Sequence, residues 1–140
     1  SLLQSAIYYV SEPEGGLPSL HRVVYNDGTA SAYPDETALV EGIADLQICY
    51  GIDNDNDASV DAYQKANAIG DWEDVIAARV TVVAISPQTN VATEAVSVRF
   101  TDCDGTVVTR DSSLYDELAQ RRIAQAFTST IALRNRLLYE

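Results

Sequence analysis

The stretch Asp53–Asp61 reads DNDNDASVD and sets Asp53, Asp55, Asp57, Ser59 and Asp61 at alternate positions. Calcium takes about six to eight oxygen ligands, and oxygen-bearing side chains spaced two apart on a tight loop can converge on one point. These five residues fall at positions 1, 3, 5, 7 and 9 of an EF-hand-like count. Position 6 of that count is Ala58, where the sharp turn ordinarily uses glycine, and position 12 is Gln64, which has no bidentate carboxylate. The competing reading is a solvated acidic turn, which would also protect a sheet edge from aggregation. Asp102 and Asp104, in the run DCDG, are too few to hold a cation alone and mark a turn.

Other chemistry is sparse. His21 is the single histidine, and no motif around it supplies the neighbour that would orient a general base. The sequence contains no G-x-S-x-G elbow. Its seven glycines are scattered, with Gly15-Gly16 the one adjacent pair, so no phosphate-cradling loop is written here. The eight tyrosines are spread along the chain and read as sheet packing rather than a platform for stacking bases. No catalytic residue is assigned, and the chain is expected not to be an enzyme.

Cys49 and Cys103 lie 54 positions apart, a spacing that matches neither a CxxC redox motif nor a zinc cluster. They are one disulfide in an oxidising compartment or two small buried thiols in a reducing one. Trp72, between Asp71 and Glu73, is expected to anchor packing, with partner contact by these three residues as the second reading.

The elements that must position these groups are mostly strands. Ile7–Val10 and Leu20–Tyr25 flank SEPEGGLPS, whose prolines and glycines make a hairpin-like connection. NDGTASAYPDE (26–36) reads as a loop. Thr37–Ala44 is a helical turn or the entry to a strand, and in Asp45–Tyr50 the residues Leu46, Ile48 and Tyr50 oppose Gln47 and Cys49. Arg79–Ile85 is β-branched enough to be central in a sheet. Ala95–Phe100 and Thr106–Thr109 follow as shorter strands, and 112–121 carries a Ser–x–x–Asp start with helical spacing of Leu114 and Leu118. In the last segment Ile123, Phe127, Ile131 and Leu133 share one parity, whereas Ala124, Ala126, Thr128 and Thr130 take the other. The predicted fold is α+β, mostly β: one antiparallel sheet with one or two short helices, in a single domain over 1–140.

Charge and hydropathy narrow the function. The net charge is -12, and Asp35–Asp74 holds eleven acidic residues against Lys65 alone. Such a face repels phosphate backbones, so nucleic acid is not an expected partner; it can attract cations or a basic partner, though solubility alone is the commoner reason for such a charge. No apolar run approaches the roughly 20 residues that span a bilayer, and no signal-peptide pattern opens the chain. The chain begins abruptly at SLLQSAIYYV, already strand-like, so an upstream segment is expected ahead of Ser1.

With these segments in order, a resemblance emerges. Residues 39–53, LVEGIADLQICYGID, resemble the LVEGV-x-x-LQ-x-x-YGVD stretch of PilW-type minor pilins, low-abundance subunits of bacterial type IV pili. An Asp-rich loop, a tryptophan-led strand (71–87) and a closing FTSTIALRNRL (127–137) follow in the same order. The resemblance implies a pilin-like globular sheet domain whose N-terminal membrane helix is absent from this chain. It also implies kinship with the J-type minor pseudopilin of type II secretion. The implied job is structural: assembly with other minor pilins into a tip or priming complex, first in the periplasm and inner membrane and then on the cell-surface pilus. No small-molecule substrate is implied. Export favours the Cys49–Cys103 disulfide. A calcium-dependent adhesion or binding module at the pilus tip is the alternative function, with calcium on Asp53, Asp55, Asp57, Ser59 and Asp61 as its cofactor.

Overall fold

A computed structural model of the chain describes residues 4–12, 16–26, 35–113 and 115–133. Among these residues nine strands run in chain order: β1 (Gln4–Ser11), β2 (Ser19–Asn26), β3 (Asp35–Glu41), β4 (Ile43–Ile52), β5 (Ala62–Gln64), β6 (Val75–Ile85), β7 (Val98–Thr101), β8 (Val107–Arg110) and β9 (Ala124–Ala132). A four-residue helix, α1 (Asp116–Ala119), and 3-10 turns at Ala66–Ala68 and Trp72–Asp74 complete the elements. The expectation of mostly antiparallel β structure holds, but the single sheet does not. The strands form three antiparallel sheets, ordered β1-β2-β3, β5-β4-β6-β9 and β7-β8.

The four-stranded sheet is the frame. β6, with its β-branched run, lies between β4 and β9, so Val82 is flanked by Leu46 and Phe127, and Thr81 by Gln47 and Thr128. The Thr81 and Thr128 hydroxyls hydrogen-bond at 2.9 Å. Directly paired residues point to the same side of a sheet. One side of β6 therefore carries Thr81, Val83 and Ile85, all buried. Val83 and Ile85 pack with Val98 and Phe100 of β7 and with Leu118 of α1; Val83 and Leu118 are 0% exposed. β9 meets this core with Ala124 and Ala126, whose small side chains let the β7-β8 hairpin approach.

Several expected boundaries move. Thr37–Ala44 is not helical but spans the end of β3 and the start of β4. Strand β7 begins at Val98 rather than Ala95, and β8 starts at Val107. The helix expected over 112–121 shrinks to α1, because Ser113 does not cap it. Its hydroxyl and N–H instead bond the Asp111 carboxylate, and Tyr115 takes the N-cap position without a side-chain cap. Leu114 lies outside the described residues, as do 27–34 of the expected loop, while Asn26 and Asp35 already belong to strands.

Two glycines fix how the sheets join. Gly42, between β3 and β4, has φ +83° and donates its N–H to the Pro18 carbonyl at 2.9 Å. A Cβ there would stand 2.8 Å from the Ile85 carbonyl oxygen. Gly51 is enclosed too: its Cβ would meet Val60 at 3.0 Å and Ala77 and Tyr63 at 3.1 Å. The absence of a side chain is what lets β5 and the acidic loop close over β4. Gly42→Ala combines a disfavoured φ with a backbone clash, so we expect a loss of about 2 kcal/mol or more in stability. Denaturant titration of the variant against wild type measures it.

Candidate functional site

The acidic loop begins where β4 ends. Asp53 is buried, at 5% exposed, and its carboxylate is the loop's hub. It accepts the N–H of Ala58 at 2.9 Å and of Asp57 at 3.3 Å, while its own N–H donates to the Asp74 carbonyl. Asp61 closes the loop by accepting the Asn54 N–H at 2.7 Å. Asn56 and Ala58 both have positive φ, 60° and 67°. Ala58 thus takes the left-handed turn at the position where the EF-hand count has glycine, despite the cost to an L side chain.

Of the five expected calcium ligands, the fold brings three together. Oxygens of Asp53, Asp55 and Asp61 lie within 4.8 Å of one another. Asp57 is turned to Ser59, accepting from both its hydroxyl and its N–H. Carboxylates retain spare lone pairs while accepting backbone N–H groups. The donor set of hard oxygens therefore fits a calcium ion chemically, though three carboxylates fall short of a full shell.

Electrostatics separate these acids. The Asp55 carboxyl is held above its ordinary value, first by lost solvation in the loop and then by the neighbouring charges of Asp57 and Asp61. Asp57 is held below it, chiefly by the Ser59 hydroxyl. Asp104 and Asp111 are lowered in the same way by Thr106 and Ser113. Asp102 is lowered by the Cys103 N–H and by Lys65, whose Nζ stands 3.2 Å away.

Beside this loop, Cys49 of β4 is joined to Cys103 in the turn between β7 and β8 by a disulfide with Cα atoms 5.3 Å apart. Arg79 lies opposite Cys49 on β6, donates to the Asp102 carbonyl at 3.0 Å and sets its guanidinium 4.3 Å over the Tyr63 ring. His21 sits in β2, stacked on Tyr9 with centroids 5.3 Å apart. At the start of α1, the Tyr115 hydroxyl donates to the Asp45 carboxylate. Burial, together with that bond, pushes the phenol's pKa up.

Asp71 caps the 3-10 turn at Trp72–Asp74 by accepting the Glu73 N–H at 2.8 Å. Trp72 meets the Tyr50 ring edge-on at 4.9 Å yet remains 49% exposed. It is thus half packing anchor and half open surface. Tyr50 belongs to the side of the four-stranded sheet opposite the core. That side also carries Leu46, Ile48, Val80 and Val82, all half-buried, with Phe127 and Ile131 of β9 at 55% and 52% exposed. Periodicity separated the large and small rows of β9 but carried no signal that the large row faces away from the core.

A sheet side that leaves Phe127 and Ile131 exposed, beside an acidic loop and a long-range disulfide, suits a domain built to be packed against. The Type IV Pilus-assembly protein W (PilW) family matches residues 7–135. The chain belongs to the PilW family. No curated protein and no solved structure matches it. As a PilW-family domain it is a pilus-assembly protein, in a family whose role is structural rather than catalytic and whose setting is the cell envelope and surface. Among the described residues no helix is long and apolar enough to cross a membrane.

The raised Asp55 carboxyl gives a pH-dependent expectation. A carboxyl whose folded pKa exceeds its unfolded value of 3.8 favours the fold only while protonated, and this contribution disappears as pH rises through the folded value. Asp57 has the opposite sign, stabilising above 3.8 and losing that contribution as pH falls through its depressed value. Asp55→Asn should therefore raise the melting temperature at pH 7 in calcium-free buffer and leave it unchanged at about pH 2.5, where the carboxyl is protonated in both states. Thermal melts of the two proteins at both pH values check this.

Proposed function

We propose that this chain is the globular domain of a minor pilin that joins other minor pilins in the tip or priming complex of a type IV pilus. Before assembly the domain stands in the periplasm, held at the inner membrane by an apolar helix ahead of Ser1; afterwards it is part of the pilus on the cell surface. The observation that carries this reading is the apolar side of the β5-β4-β6-β9 sheet. Leaving apolar surface in water forgoes about 25 cal/mol for each Å² that could be covered, so that side is a standing demand for an apolar neighbour. A helix that is apolar enough to rest in a membrane can lie along it and supply the contact. Match to a pilus-assembly family over 7–135 supports the same reading.

Lateral specificity then falls to the polar surface. The acidic stretch 35–74 meets a basic sister subunit, with Trp72, Asp71 and Glu73 at the contact. Phe127→Glu in the full-length, membrane-inserted protein should abolish co-purification with the other minor pilins. The isolated domain should keep its melting temperature to within a few degrees, since the side chain is already exposed. Failure of the wild-type full-length protein to co-purify with any minor pilin overturns the proposal.

A second reading has its own observation, the convergence of Asp53, Asp55 and Asp61. On that reading the domain is a calcium-dependent adhesion module at the pilus tip, with the ion held by the loop oxygens. Calcium should raise the melting temperature of the wild-type domain, and Asp55→Ala with Asp57→Ala should remove the rise. A wild-type melt indifferent to calcium retires this reading.

A further inference from the structure

Among the described residues β9 is the outer strand of the four-stranded sheet and bonds to β6 alone. Leu133 donates its N–H to the Ile76 carbonyl, and the Ile123 carbonyl accepts the N–H of Ser86. Backbone polar groups alternate sides along a strand, so the odd-numbered residues of this segment bond inward to β6. Ala124, Ala126, Thr128, Thr130 and Ala132 therefore direct their N–H and C=O groups outward.

Edge strands of soluble proteins are ordinarily guarded by charges, prolines, bulges or short length. β9 has none of these: nine residues, AQAFTSTIA, without charge, proline or glycine, in unbroken register with β6. Every residue from Phe127 to Leu133 is exposed. An open edge of this kind is a template for one more strand.

Charge at the ends says what kind of strand. Between Leu118 and Tyr139 the sequence holds Arg121, Arg122, Arg134 and Arg136 and no acidic residue. Arg121 and Arg122, just before β9, bond neutral partners: Arg121 the Asn90 side chain and the Thr93 carbonyl, Arg122 the Gln120 side chain and the Ser86 and Pro87 carbonyls. Their positive charge is not cancelled by these contacts. The complementary strand is present in the same molecule. Among the described residues β3 is also an outer strand, bonded to β2 alone, and its sequence begins with Asp35 and Glu36 and ends with Glu41. Between them Leu39 and Val40 are exposed.

We infer that the free edge of β9 accepts the acid-flanked edge strand β3 of a second copy of this chain. The contact joins unlike edges, so it is heterologous: copies add head to tail, as an open series unless the rotation per copy closes a ring. It uses the backbone edge and the terminal charges, and it is independent of what covers the apolar side of the sheet.

Sedimentation velocity of the purified chain over about two decades of concentration tests the inference. Concentration-dependent, open-ended association is expected. Thr130→Pro removes one outward N–H while leaving the inward bonds to β6, and should weaken association about tenfold with the circular dichroism spectrum retained. Glu41→Arg and Arg122→Glu should each weaken it, and the two changes in one chain should restore it. This exchange decides the matter alone if Thr130→Pro does not fold. A wild-type chain that stays monomeric throughout, or an association lost in Phe127→Glu but untouched by Thr130→Pro and by Glu41→Arg, overturns the inference. Such results would leave the apolar-side reading standing.

Discussion

A sheet that is apolar on both sides needs two coverings, and the described elements supply one. β6 carries valine on both parities, Val80 and Val82 on one side and Val83 on the other. The β7-β8 hairpin and α1 go to the Val83 side, where Phe100, Val98 and Leu118 complete a small core. Layered architectures bury a sheet face against another element. The Val82 side is buried at Ile43 and Ile76, only half-buried along Leu46, Ile48, Val80 and Val82, and ends in exposed Phe127 and Ile131. The selection of side follows from β9: its alanines leave room for a hairpin on one side, and its large residues fill the space on the other.

The covering hairpin is small and would hold poorly by apolar contact alone. Three tethers converge on its turn. The disulfide ties Cys103 to β4, Arg79 grips the Asp102 carbonyl from β6, and Lys65 pairs with the Asp102 carboxylate from the segment after β5. Closing a loop of 54 residues by a disulfide restricts the unfolded chain by an amount on the order of 2–4 kcal/mol. The exposed Lys65 pair adds little. Arg79 is the odd member, since its Nε is buried without a hydrogen-bond partner among the described residues. The Tyr63 ring beneath it offers the electron-rich face that partly replaces one. Acidic loop and hairpin thus share supports: β5 carries Tyr63, and the closure of β5 over Gly51 sets both.

Much of this was legible in the sequence and some was not, for physical reasons. Strands β2, β4 and β6 were visible because alternation and β-branching are local properties. The division into three sheets was not, because pairing depends on contacts remote in sequence. Gly42 illustrates the boundary: TALVEGIA looks ambiguous until the glycine is seen to turn the chain from β3 to β4 against the Ile85 carbonyl. The helix at 112–121 was overextended because Ser113 has two possible partners. The Asp111 carboxylate two residues back competes successfully with the helix N–H groups. In the acidic loop, alternate spacing brought out five oxygen-bearing residues, but spacing cannot say that Ser59 would occupy Asp57. The uncovered side escaped notice because an apolar row reads the same whether its neighbour is within the chain or outside it.

Charge is distributed along the axis that the sheet order defines. The acidic loop hangs from the β4–β5 connection at one edge, and the arginine-flanked β9 forms the other. With neighbouring strands about 4.8 Å apart, the three spacings from β5 to β9 make roughly 14 Å. That exceeds the screening length of about 8 Å at physiological salt. The two ends therefore do not neutralise one another within a single molecule. They act as separate patches, one repelling its like and the other free to meet an acidic surface. A molecule of net charge -12 should resist close approach by copies of itself in most orientations. The basic edge is where that resistance is lowest, so the charge pattern restricts association to a few geometries without needing a large interface.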